Sequence, residues 1–220
     1  MRKALLFALM MTLCLSLTGC GGETAEKQET EELQMKFQNL SAATVEAELT
    51  CHGGLSRGPP PPCHYGDEVR TYTLRCSYTP EESTVEVLAP EDLAGISATL
   101  TGEALTLQYD GILLDAGTYS GTEISPMWAV PSMLRAMGQG YPLETGREAL
   151  GETECLRVTF EMTSSDGGKQ YTAVWFDENG IPLQGEIALG ETVVYTAVLT
   201  QFTAEETDHG TITEEDLGGD

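Results

Sequence analysis

Cations are what this sequence has least of. Its 220 residues hold 11 Lys and Arg against 35 Asp and Glu, a formal charge of −24. A surface of that sign repels phosphate backbones and anionic headgroups, which argues against nucleic acid as a partner. Enzyme signatures are scarce too. We read no nucleophile elbow, no His-Glu-x-x-His, no Cys-x-x-Cys and no Walker-type glycine loop, and expect neither an enzyme nor a cofactor. Histidines number three, His52, His64 and His209, the last in an acidic stretch where it is expected to be solvated. Past the first twenty residues no apolar run is long enough for a membrane-spanning helix, so the following chain is not expected to cross a membrane.

The one long apolar run is at the start. Met1-Arg2-Lys3 is basic, and Ala4 to Leu17 is apolar except for Thr12, Cys14 and Ser16. That is the length of a signal h-region, too short to span a bilayer comfortably. Leu17-Thr18-Gly19-Cys20 follows, and small residues before a cysteine at this place resemble the lipobox of bacterial lipoproteins. The resemblance implies that residues 1–19 are an export signal and that Cys20 carries diacylglycerol and fatty acyl (palmitate-type) chains as the first mature residue. The protein would then be anchored on the outer face of the cytoplasmic membrane, or at the outer membrane if the source is Gram-negative. Without Arg2 and Lys3 the mature charge would be 9 − 35 = −26.

Acid is concentrated at both ends. Residues 20–32 read as the lipidated cysteine and a flexible acidic tether, and residues 203–220 as an acidic flexible tail with no Lys or Arg. Between them, 33–202 is enough for one domain with a sizeable core.

Four cysteines remain in a compartment expected to be oxidising, and four allow three pairings. Cys51 and Cys63 bracket a glycine- and proline-rich stretch, and we expect a disulfide across its mouth. Cys76 and Cys155 are left as the other pair, on strands that need not be neighbours. Cys51-His52 and Cys63-His64 are also four potential zinc or copper ligands. Adjacent residues of an extended chain point to opposite sides, so a disulfide beside two exposed histidines is the preferred reading, and no metal is expected. Asp177-Glu178-Asn179-Gly180 has calcium-loop residue types without the rest of the loop, and reads as a turn.

Periodicity supplies the elements. Leu33, Phe37 and Leu40 recur at helical spacing, and Val45, Ala47, Leu49 and Cys51 then alternate as a half-buried strand. Strands follow over 67–79 and 83–89, with Tyr72, Leu74, Cys76 and Tyr78 on one face. Asp110-Gly111 between two apolar runs predicts a hairpin whose turn needs positive φ at both positions. Ser125 can cap and Pro126 start a helical segment ending at Gly138, with Met127, Val130, Leu134 and Met137 on one face, and Pro131 is expected to kink it or split it in two. Four strands close the chain, at 154–163, 170–176, 181–189 and 192–202. The sum is an α+β domain with a large curved antiparallel sheet, an incomplete barrel of roughly nine or ten strands. An N-terminal helix and a mid-chain helical segment would cover its concave face.

That order, and the segment Val174-Trp175-Phe176-Asp177-Glu178-Asn179-Gly180-Ile181-Pro182-Leu183, resemble the lipoprotein-carrier superfamily over Leu33 to Phe202. The resemblance implies a half-barrel that binds acyl chains of lipids or lipoproteins and has no catalytic residues. Met127, Trp128, Val130, Met133, Leu134 and Met137 would line the apolar pocket, since Met and aromatic side chains suit variable apolar ligands. Trp175 is read as core. The other function class is an envelope scaffold with a filled interior, binding a protein partner such as a cell-wall or sporulation enzyme. An exposed apolar patch would favour that class.

Overall fold

The computed structural model describes residues 22–52, 69–102, 104–118, 125–163 and 167–207. Eleven strands form one antiparallel sheet in the order β6-β5-β4-β3-β2-β1-β11-β10-β9-β8-β7. They are β1 (Leu40–Cys51), β2 (Arg70–Tyr78), β3 (Glu82–Ala89), β4 (Ser97–Thr101), β5 (Ala104–Tyr109), β6 (Ile112–Thr118), β7 (Tyr141–Leu150), β8 (Thr153–Thr163), β9 (Lys169–Phe176), β10 (Pro182–Leu189) and β11 (Thr192–Glu206). Helix α1 spans Gly22–Gln38 and α2 spans Pro126–Gln139.

The path of the chain explains the burial of α2. From the middle of the sheet the chain walks outward, strand by strand, from β1 to the edge strand β6. It must then reach the opposite edge, β7, before walking back to pair β11 with β1. The connection carries α2 across the face, packed on β1, β2 and β8 to β11. A helix in that position is apolar nearly all round. Eleven α2 residues are buried, Met127 to Leu134 and Ala136 to Gly138. Under them lie alternate residues of the strands it packs on, including Val45, Ala47 and Leu49 of β1, Val158 and Phe160 of β8, and Tyr195 and Ala197 of β11.

Several expectations hold and several need correction. The sheet is antiparallel and unclosed, with two helices on its inner face, as the alternation and turn residues predict. Asp110 (φ 47°) and Gly111 (φ 77°) make the expected hairpin turn between Tyr109 and Ile112. The segment with Pro131 is one continuous helix, with Pro131 buried and Ser125 accepting from the Met127 N–H at its start. Residues 22–32 are not a flexible tether but the first part of α1. Their Glu, Gln, Ala and Lys are good helix formers, and early acids favour the helix N-terminus. Tertiary ties hold them, through Thr30 Oγ1 to Thr145 Oγ1 at 3.1 Å and Glu29 to Arg147. The tail begins later than 203, since β11 continues to Glu206 along β1. Two strands were missed. β4 is short, and β7 is an edge strand whose Pro142, Gly146 and charges hide its alternation.

Candidate functional site

Two glycines let the helices settle onto the sheet. A Cβ on Gly185 of β10 would lie 2.0 Å from Met133 Sδ, so the missing side chain is the seat for Met133. A Cβ on Gly138 would lie 2.9 Å from the Phe37 carbonyl oxygen, so that glycine lets the C-terminal turns of α1 and α2 touch. The six side chains read as a pocket lining, Met127, Trp128, Val130, Met133, Leu134 and Met137, are all buried members of the main core. Leu134 also borders a cleft of about 80 Å³ beside Phe37 and Tyr78.

Polar groups also occur under α2. Gln170 and Thr172 of β9 are buried on the inner face, with Gln170 Nε2 3.0 Å from Thr172 Oγ1 and 3.5 Å from Ser132 Oγ. Sequence reading missed this group because the two residues sit at core positions of a strand whose other inner members, Val174 and Phe176, are apolar.

A larger cleft, of about 610 Å³, lies between α1 and β7. Acids Glu26, Glu31, Glu144 and Glu148 line it together with Lys27, Arg147 and Arg157. Arg147 is paired with Glu29, and Arg157 with Glu148 at 3.3 Å. The Arg157 guanidinium also sits over the Trp175 ring at 5.2 Å. Seating an acyl chain here would strip water from several charges, at several kcal/mol each, so the cleft does not suit an apolar ligand.

Trp175 is buried but not with the main core. It belongs to a small cluster with Cys155, Ala173, Leu150 and Leu183 on the opposite face of the sheet. Cys76 is in the main core and is separated from β8 by four strands, so the expected Cys76–Cys155 disulfide is absent and both are free thiols. Burial pushes the Cys76 thiol up to about 12. Cys51 is buried, and His52 Nε2 lies 2.8 Å from Thr196 Oγ1. Cys63, His64 and His209 lie outside the described residues, as does Cys20. Among the described residues no group of His, Cys, Asp and Glu could hold a metal ion.

Gly54-Leu55-Ser56-Arg57-Gly58 does carry Gly-x-Ser-x-Gly spacing, which corrects the reading that nothing of the kind is present. The segment lies outside the described residues. The turn at Asp177 is a hairpin turn, its Oδ1 accepting from the N–H groups of Asn179 and Ile181 at 2.9 and 2.8 Å.

The inner face is open at one end. Val85, Ala98, Leu107 and Leu114 are register partners in a row across β3, β4, β5 and β6, so all four side chains point the way of the core residue Val85. Tyr109 and Ile112 pair beside them on the same face. Val85 and Ala98 are fully buried, yet Tyr109, Ile112 and Leu114 are 54%, 69% and 60% exposed. The core thus runs out into an apolar shelf where its covering helix ends. Periodicity showed the apolar residues but not their exposure, which depends on how far α2 reaches.

The described chain resembles several solved structures. One is a putative outer membrane lipoprotein-sorting protein domain from Vibrio parahaemolyticus, 10% identical, with TM-score 0.40 and 87% of this chain and 94% of that one covered. A LolA superfamily protein, NE2245 from Nitrosomonas europaea, is 11% identical at TM-score 0.42, with 87% and 98% covered. The MucA/MucB complex of Pseudomonas aeruginosa is 10% identical at TM-score 0.40, with 87% and 61% covered. These are likenesses of fold. No family model and no curated protein sequence matches the chain.

Proposed function

We propose that this chain is a non-enzymatic binding domain of the cell envelope, exported and held on a membrane through lipid on Cys20. Its ligand is an acyl chain or similarly apolar group, held on the open inner face of β5 and β6. The observation that carries the reading is the shelf of Tyr109, Ile112 and Leu114, apolar, exposed and continuous with the core. Contiguous apolar surface of this kind marks a binding face. The region under α2 supports the reading less well, because Met133 already fills the seat at Gly185. The segment Leu17-Thr18-Gly19-Cys20 supports export and lipidation.

The test uses the exported full chain and an environment-sensitive apolar dye, displaced by a long-chain fatty acid. Dye binding should be lost in the Ile112→Ser/Leu114→Ser double variant while its melting temperature stays that of the wild type, since both side chains are exposed. Dye binding indifferent to that double change would reject the shelf as the site. Metabolic labelling with a radioactive fatty acid checks the anchor: label should enter the wild type and be absent from Cys20→Ser.

A further inference from the structure

The two edges of the sheet differ. Edge strand β7 carries Pro142, Glu144, Arg147 and Glu148, and α1 packs on it. Proline, charge and a covering element are the usual guards against a stray strand. Edge strand β6 reads Ile-Leu-Leu-Asp-Ala-Gly-Thr, with one charge, no proline and no cation. Its outward rim is a row of backbone groups. Tyr109 and Ile112 close the two-residue turn, so the ladder bonds of β6 fall at Ile112 and Leu114, and the amides of Leu113 and Asp115 point away from β5.

Charge along this part of the sequence is of one sign. From Cys76 to Leu134 the sequence has nine acids and not one Lys, Arg or His. Asp110 and Asp115 lie on the hairpin itself, and Glu82 and Glu86 on β3. Of the flanking cations, Arg75 pairs with Glu46 at 2.8 Å and with Glu86 at 3.7 Å, and Arg135 donates to the Gly102 carbonyl in the β4–β5 turn at 3.3 Å, so the unpaired charge at the β5–β6 hairpin is that of Asp110 and Asp115. A strand edge on which no described element packs, an apolar shelf beside it and a hairpin whose charges are both acidic describe a complementary occupant. It is extended, apolar on alternate residues and cationic on the others.

We propose that β6 is a docking edge for a basic, strand-forming segment of a partner protein, which adds a twelfth strand and lays its apolar side chains on Ile112, Leu114 and Tyr109. Main-chain hydrogen bonds to the outward-facing groups of β6 would supply affinity, and alternate side chains specificity. The acids would speed encounter and select against acidic partners. The same acids repel an anionic lipid headgroup, and two copies at −24 each repel one another. This proposal rests on the reading that the shelf is a binding face for apolar groups, and it makes those groups the side chains of a partner's strand.

The experiment measures fluorescence anisotropy of a short labelled peptide alternating lysine and valine, added to the exported full chain. Four outcomes are expected together. The peptide binds, and its glutamate–valine counterpart does not. N-methylation of alternate peptide amides weakens binding by about tenfold or more, as loss of main-chain bonds requires. Leu113→Pro, which removes an outward amide and leaves net charge unchanged, does the same. Raising salt from about 0.05 to 0.5 M also weakens it. A proline at an outward-facing edge position is tolerated by the fold, and the melting temperature of Leu113→Pro checks this. Should it fall, Leu114→Ser serves instead as a charge-neutral variant at an exposed site. Equal binding of the N-methylated peptide, or of wild type and both variants, would mean only diffuse attraction to an acidic surface and would overturn the proposal. So would a dimer in sedimentation that Leu113→Pro dissolves, which would make the occupant a second copy. Dye binding at the shelf with no peptide binding would overturn the partner class alone. Dye binding indifferent to Ile112 and Leu114 would overturn the underlying reading as well.

Discussion

Met133 Sδ occupies the space that a side chain at Gly185 would need, 2.0 Å from where its Cβ would be. Met133 is fully buried and lies in the middle of α2, and Gly185 is on β10 between Val174 of β9 and Ala197 of β11. The contact fixes the depth at which α2 rests on the sheet. It is also why the region beneath α2 is packed core at this point and why apolar binding surface is found farther out, on β5 and β6.

Gly185→Ala should therefore destabilise the fold by about 1–3 kcal/mol, the usual range for overpacking. Met133→Ala should cost about 2–5 kcal/mol through the cavity it leaves. Because the two changes act on one contact, the double variant should be more stable than their sum by about 0.5–3 kcal/mol. Urea denaturation of the four proteins measures this. Simple additivity would mean that the contact does not set the helix position.

Cys76 should be silent to alkylation in the native protein. Burial holds its thiol neutral up to about 12 against an ordinary value of 9.0. A raised thiol value means that the folded state holds the proton more tightly than the unfolded state. The resulting stabilisation is complete below about pH 9 and is lost as pH rises from there towards 12. The stability difference between wild type and Cys76→Val should change in that window and be flat below it. Iodoacetamide modifying Cys76 without unfolding would contradict its burial.

The ion pair of Arg147 with Glu29 ties α1 to β7, with both side chains about a third exposed. A pair so exposed contributes under about 1 kcal/mol and is screened by salt. Arg147→Ala should thus lower stability only slightly at low salt and not measurably at about 1 M salt. Amide exchange of α1 residues 26–31 should rise in the variant while α2 stays protected. Unchanged exchange would show that Thr30 and Leu33 hold the helix alone.

Ser125→Ala should cost about 1 kcal/mol, since its Oγ accepts from the Met127 N–H at the start of α2. Ser125→Asp should restore most of that, because Asp also caps and suits the helix N-terminus. A thermal melt of the three proteins tests it. Equal melting of all three would mean that burial alone positions the first turn.

The sequence by itself determined the local order of this protein. Alternation in Val45 to Cys51, the Asp110-Gly111 turn and the Ser125-Pro126 start are short-range physics, and each appears where that physics puts it. The acid excess and the segment ending in Cys20 are equally local. Tertiary structure decided the rest. Residues 22–32 carry too little apolar pattern to announce a helix, and become one through Thr30, Glu29 and their partners on β7. Cys76 and Cys155 look like a remaining pair until the strand order sets β2 and β8 far apart. Trp175 and Val174 are equally apolar neighbours, and only the sheet decides that one faces α2 and the other Arg157. Ile112 and Leu114 have the pattern of core residues, and are exposed because α2, on the connection between the two edges, covers β1, β2 and β8 to β11 while the shelf on β5 and β6 stays open. Pattern specifies which residues share a face, and the reach of the covering element specifies whether that face meets protein or solvent.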